Sequence, residues 1–322
     1  MAGRVLDATG TRGTLRAIDR LFTSDVIDRL ARIRRASDSP FDKAGAVFRN
    51  RHTFLSGSAA AAGSGARAMR RAWASYVDAA DDYGLLDDPE FVAALVGDDD
   101  DAFRGALAEC CVASFLSSLP ALRVRARPEA KSGKNVDMRV MGGGIEFDVE
   151  VKAPFVPRTS NHWRGTDTKA ILASIKDAGT QFKRNRKNLL VLVPTFRTPV
   201  HHHRGQLVEA VLGQRAISVH VSLDGSDPPP PEPTFVQNGK LARLRRTQGG
   251  DVSTDFTRIG AIMSIEQRYR DLEDDEVEVR QAVVVVHNPF ATQPINASVF
   301  RDVPQLVRDG HVMRWTDEYT GV

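Results

Sequence analysis

The chain has 322 residues, 42% hydrophobic and 26% charged, the balance of a soluble globular protein with length enough for one large domain or two. No run of about eighteen apolar residues occurs, and Met1-Ala2-Gly3-Arg4 lacks the apolar stretch of a signal peptide, so a spanning helix and a secretory leader are not expected. The net charge is only +3, yet 16 of the 44 basic and 7 of the 41 acidic residues lie between Pro120 and Val200, a net of +9 there and −6 elsewhere. A basic segment in a mildly acidic chain fits either a polyanion surface or a solvated basic face. Cys110 and Cys111 are adjacent and cannot make a disulfide framework, which points to a reducing cytosol.

In chain order, Ser24-Asp25 predicts the start of a helix running to Arg35, with Leu21, Val26, Ile27, Leu30 and Ile33 at helical spacing. The small-residue stretch 56–65 reads as a hinge or mobile loop. Helical spacing resumes from Ala66 through Met69, Ala72, Trp73, Tyr76 and Val77. Pro89–Val96 predicts a short helix with proline in its first turn. The acids Asp98 to Asp101 suit the N-terminus of a helix over 102–118. On that helix Glu109 is the only charge between Gly105 and Leu122, among Leu107, Ala108, Cys110, Cys111, Val112 and Phe115. A carboxylate there costs several kcal/mol unless it is paired, reaches solvent or binds a cation.

Residues 121–127 alternate apolar and basic, a half-buried strand with arginines outward. Strands are predicted over 135–141 and 145–152, joined by Gly142-Gly143-Gly144, which supplies the positive φ of a tight hairpin. A loop rich in Pro, Arg, His and Trp spans 153–167. A helix over 168–187 follows, then an apolar strand from Asn188 to Pro194, central and covered on both faces. Beyond it come a short helix over 206–213, strands over 216–223, 258–265 and 281–286, a proline-rich loop at 224–238, and a helix over 301–310. The fold class is α/β, with a helical N-terminal region over 1–97, a main domain over 98–322, and a C-terminal sheet extension over 196–322.

Alternation in the second hairpin strand puts Glu146, Asp148, Glu150 and Lys152 on one face. Three acids in line repel, and the arrangement makes sense if a divalent cation sits at one end. Glu150 and Lys152 stand about 7 Å apart along the strand. Asp137 on the partner strand reaches Glu150 if the register allows. Hard oxygen ligands suit Mg²⁺ or Mn²⁺ better than zinc.

Asp137 followed by Glu150-Val151-Lys152, on this order of helix, three strands, helix and strand, resembles the PD-(D/E)XK nuclease superfamily, the restriction-endonuclease-like fold. The resemblance covers about 100–195 and departs at Val136, where the proline of the name would stand. It implies a metal-dependent endonuclease hydrolysing DNA phosphodiester bonds, in host defence and restriction or in DNA repair. In that reading Glu109, Asp137, Glu150 and the Val151 carbonyl hold Mg²⁺ or Mn²⁺. Lys152 orients water or offsets phosphate charge, and Gln181 fixes Lys152 or a phosphate. The alternative is a non-catalytic nucleic-acid-binding or assembly subunit that keeps the fold.

Candidate DNA contacts are Arg158, Trp163 and Arg164 in the loop after Lys152, and Lys183 and Arg184 at the end of the second helix. RNA is left open as a substrate, as are a homodimer or a partner subunit; no membrane partner is expected. His201-His202-His203 is a poor metal site, because three consecutive side chains do not face one ion.

Overall fold

The structure, a computed structural model, describes residues 16–32, 51–55, 63–119, 122–126, 136–154, 168–194, 203–218, 232–236, 245–246, 252–253, 256–272, 277–309 and 312–317. The N-terminal part is helical: α1 (Ala17–Leu21), α2 (Ser24–Arg32), α3 (Arg51–Leu55), α4 (Gly63–Asp82), α5 (Pro89–Val96) and α6 (Asp100–Ser118). Two starts are set by acids. Asp88 accepts from the N–H groups of Glu90 and Phe91, with Pro89 in the first turn of α5. Asp99 does the same for Asp101 and Ala102 at α6, the capping role expected of that acidic run. The helix α4 includes Gly63, Ser64 and Gly65, so the expected hinge does not extend through them, and 56–62 lie outside the described residues. At this end the apolar face from Ala66 onward packs on the core and carries three further residues into the helix.

The strands β1 (Arg123–Ala126), β2 (Met138–Gly142) and β3 (Ile145–Lys152) form an antiparallel meander. The chain then crosses over through α7 (Thr168–Gln181) to β4 (Asn188–Leu192), which lies parallel to β3. After α8 (His203–Leu212) come two small pairs, β5 (Gln214–Ser218) with β6 (Glu232–Val236), and β7 (Arg245–Arg246) with β8 (Val252–Ser253). The long hairpin β9 (Ala261–Asp271) and β10 (Val277–His287) returns to the main sheet, followed by β11 (Gln305–Asp309) and β12 (Val312–Trp315). The result is a mixed eight-stranded sheet in the order β1-β2-β3-β4-β9-β10-β11-β12. The C-terminal third therefore extends the same sheet.

The helix expected over 301–310 is a correction. A short 3₁₀ turn, Ala297–Phe300, precedes Pro304, and Gln305–Asp309 is a strand paired with both β10 and β12. The carbonyl of Pro304 accepts from Val285 N–H, which locks that segment to the sheet.

Apolar residues cover both faces. Trp73, Phe103, Leu107 and Val112 of α4 and α6 pack with Val140, Phe147, Val149, Val151, Val191 and Met263 on one face. Ile171, Ile175, Ala178 and Phe182, with Leu207 and Val211, pack with Leu190, Leu192, Ile262 and Val286 on the other. The strand β4 is buried throughout, as its continuous apolar run predicts. Residues of 1–97 and of the sheet share the first of these clusters, so the N-terminal helices form part of one core. Among the described residues no helix is long and apolar enough to cross a membrane.

Gly260 is the tightest backbone point beneath the sheet. Its N–H donates to Asn188 O at 2.8 Å, and its carbonyl accepts from Asn288 N–H at 3.0 Å. A Cβ there meets Gln293 O at 3.0 Å, Asn188 O at 3.1 Å and Ile295 Cγ1 at 3.1 Å. Gly260→Ala is expected to destabilise by about 1–3 kcal/mol, because two of those neighbours are backbone oxygens, one of them on the first residue of β4. Urea denaturation checks this; an unchanged midpoint contradicts it.

Candidate active site

The turn between β2 and β3 fixes the site. Gly143 and Gly144 have φ of 57° and 77°, the two positive values that a two-residue hairpin needs. The register follows, with Gly142 opposite Ile145 and Met138 opposite Val149. One step beyond the last pair, Asp137 comes level with Glu150. There β2 has ended, and the side chain of Asp137 takes over from its backbone: Oδ2 accepts the Val151 N–H at 2.7 Å. In a strand the N–H and C=O of one residue point the same way, so the Val151 carbonyl also faces the Asp137 side.

Glu150 is buried, only 3% exposed, although it carries a charge. Its Oε1 accepts from Lys152 Nζ at 2.8 Å. Gln181, the last residue of α7, brings its amide to the same carboxylate. A carboxylate only accepts, so the amide nitrogen faces it and donates to Oε2 at 2.7 Å and Oε1 at 2.5 Å. Phe182, buried beside Ala178 and Ile175, anchors the helix end that delivers Gln181. The expectation that Gln181 fixes Lys152 or a phosphate is thus refined: it holds Glu150.

Electrostatics single out Glu150. Burial first, and then the charge of Asp137, push its pKa from 4.5 up to about 7, against the lowering by Lys152. Burial alone pulls Lys152 down, but the hydrogen bond and charge of Glu150, with Asp137 and Asp177, outweigh it and leave the ammonium raised. Asp177 lies one helical turn before Gln181 on α7 and was not singled out in the sequence.

A folded pKa above the ordinary one means that the folded state holds the proton more tightly. That contribution is fully present below 4.5 and is lost as pH rises through about 7. In metal-free buffer the melting temperature of the wild type is therefore expected to fall, relative to Glu150→Gln, between about pH 5 and pH 8. Parallel pH profiles for the two proteins contradict this.

The neighbouring acids have another role. Asp148 is buried, accepts from Arg139 Nε at 2.8 Å and Arg186 Nη2 at 3.4 Å, and forms an ion pair with Arg186 Nε at 3.0 Å. Glu146 is half exposed and pairs with Arg186 at 2.6 Å and Arg139 at 3.4 Å. These four close an ion network separate from Asp137, Glu150 and Asp177, the acids whose charge acts on Lys152. Asn188, fully buried, ties the turn after α7 by donating to the carbonyls of Lys183, Arg186 and Arg258.

Not every expected residue joins the cluster. Glu109 sits on α6, whose apolar residues pack on the sheet face opposite Glu150, together with Val149 and Val151. Its charge acts on Cys110, whose thiol is pushed well up by burial first and Glu109 second. The apolar neighbours of Glu109 thus lie on the sheet face opposite Glu150, and the charges that act on Glu150 are those of Asp137 and Lys152. Among the described residues no group of three or more His, Cys, Asp or Glu is placed to hold a metal ion. Lys183 and Arg184 are exposed in the turn leading into β4. Arg158, Trp163 and Arg164, with His201 and His202, lie outside the described residues. No protein-family model, curated protein or solved structure matches the chain, so the reading of the site rests on its own geometry.

Proposed function

We propose that the chain is a metal-dependent endonuclease that hydrolyses DNA phosphodiester bonds on a restriction-endonuclease-like core. The supporting observation is the convergence of Asp137, Glu150, Lys152 and the Val151 peptide at one end of the β2–β3 hairpin. Around it stand a helix, three antiparallel strands, a crossover helix and a parallel strand, the order of that core.

The donor set fits Mg²⁺ or Mn²⁺. Lys152 bonds Glu150, and the charge of Asp137 acts on both; burial first and that charge second raise the proton affinity of Glu150, so the acid pair has room for a further cation. Mg²⁺ is commonly held by one or two carboxylates plus substrate phosphate and retained waters, so a third acid is not needed. Asp137, Glu150 and the Val151 carbonyl would hold it, and a divalent cation there would supply polarisation of the scissile phosphate and a lowered pKa of bound water.

The protein groups do the positioning. The Val151 N–H fixes the rotamer of Asp137, and Gln181 fixes Glu150. Lys152 supplies a positive charge that offsets the negative charge developing on the phosphate oxygens. A role in host defence and restriction, or in DNA repair, follows from the resemblance of the core alone.

The test uses supercoiled plasmid and single-stranded DNA, each with Mg²⁺, Mn²⁺ or EDTA. Cleavage with either metal and none in EDTA supports the reading. Binding without cleavage under every condition replaces it with a non-catalytic DNA-binding subunit.

A further inference from the structure

The meander carries two arginines that the site does not use. Register places Arg123 opposite Met141 and Arg125 opposite Arg139 on β2. Met141 and Arg139 in turn oppose Glu146 and Asp148 on β3. Residues directly opposite share a face, so Arg123 and Arg125 point to the same side of the sheet as Glu150 and Lys152. The row of Arg125 is the one next to the Asp137–Glu150 row.

Two strands at about 4.8 Å and one two-residue step of about 7 Å separate Arg125 from Glu150, about 12 Å between Cα positions. Both arginines are exposed, and β1 is the terminal strand of the main sheet. Arg139 is neutralised by Asp148 and Glu146, while Arg125 stands directly opposite it as a like charge. Like charges directly opposite destabilise a sheet, and the two carboxylates over Arg139 are already shared with Arg186, so a further anion over Arg125 relieves the pair.

We propose that this face of the β1–β2 edge is a docking track for the sugar–phosphate backbone of a DNA duplex, with Arg123 and Arg125 leading one strand toward Asp137, Glu150 and Lys152. The partner follows from charge complementarity: two unused cations about 7 Å apart, in line with a site that takes a phosphodiester. The track deepens the nuclease reading and rests on it for the choice of partner. Protection of the edge from strand pairing alone needs charge of either sign, so the sign is what the test reads.

A fluorescein-labelled DNA duplex is titrated with the full chain in EDTA over a salt series, followed by anisotropy. Arg123→Gln/Arg125→Gln is expected to weaken binding at least tenfold at low salt. The slope of log K against log salt should become shallower by about 1.8, two phosphate contacts at about 0.9 each. Arg123→Lys/Arg125→Lys restores most of the slope. Arg308→Gln/Arg314→Gln, on the opposite edge strands, leaves it unchanged, and thermal melting confirms that every variant is folded. An unchanged slope in the Gln pair overturns the track, as does a wild type that binds no duplex or binds only an RNA duplex run in parallel. Wild-type binding with the expected slope but no cleavage in Mg²⁺ or Mn²⁺ removes the nuclease reading and leaves the track standing.

Discussion

Lys152→Ala is expected to lower the single-turnover rate of DNA cleavage by a hundred- to thousandfold while leaving the fold intact. The ammonium is the only side-chain cation hydrogen-bonded to Glu150 among the described residues. Its loss removes the charge that offsets the phosphate in the transition state. The cost to stability is small, because Glu150 has an escape: its pKa is already about 7, and without Lys152 it rises further and the group takes a proton. Gln181 still covers both carboxylate oxygens. Stopped-time assays with excess protein over labelled DNA, beside thermal melting, check both halves. A variant that cleaves at the wild-type rate removes Lys152 from the chemistry.

Asp148→Ala is expected to act the other way, costing about 3–5 kcal/mol of stability. The carboxylate is buried and accepts from both Arg139 and Arg186. Both guanidiniums are about three-quarters buried, with side-chain exposures of 23% and 26%, and Glu146 remains to pair with them only at the surface. The truncation therefore strands positive charge against the sheet, and Arg139 already faces Arg125 across the β1–β2 pair. Asp137→Ala is not expected to do this, since it removes an acceptor from the Val151 backbone N–H and relieves the charge that Asp137 places on Glu150. Chemical denaturation separates the two: a midpoint drop in Asp148→Ala that is absent in Asp137→Ala supports the division between a structural network and a reactive cluster.

Much of this was readable because local chemistry fixed it. Two adjacent glycines at the hairpin tip set the register, and the register brings Asp137 level with Glu150 and Arg139 opposite Asp148. The caps at Asp88 and Asp99 and the proline at the start of α5 mark helix starts that tertiary context did not override. The buried strand β4 declared itself as an unbroken apolar run.

What local pattern left open depended on distant contacts. Val303, Leu306 and Val307 fit helical spacing, and only pairing with β10 and β12 makes Gln305–Asp309 a strand. Glu109 was correctly placed on a helix buried along its apolar residues. Periodicity does not say which face of a sheet that helix covers, and α6 covers the face away from Glu150. Arg186 closes the Asp148 network across 38 residues, a pairing that no local pattern announces.

The central claim is that Asp137 and Glu150 hold a divalent cation for phosphodiester hydrolysis. Single-turnover cleavage of a labelled plasmid, measured across a Mg²⁺ titration for wild type and Asp137→Ala side by side, tests it most directly. Saturable cleavage by the wild type that EDTA abolishes is expected, and none by an Asp137→Ala protein that melts and binds DNA like the wild type. Cleavage that survives in EDTA, or that proceeds undiminished in Asp137→Ala, contradicts it.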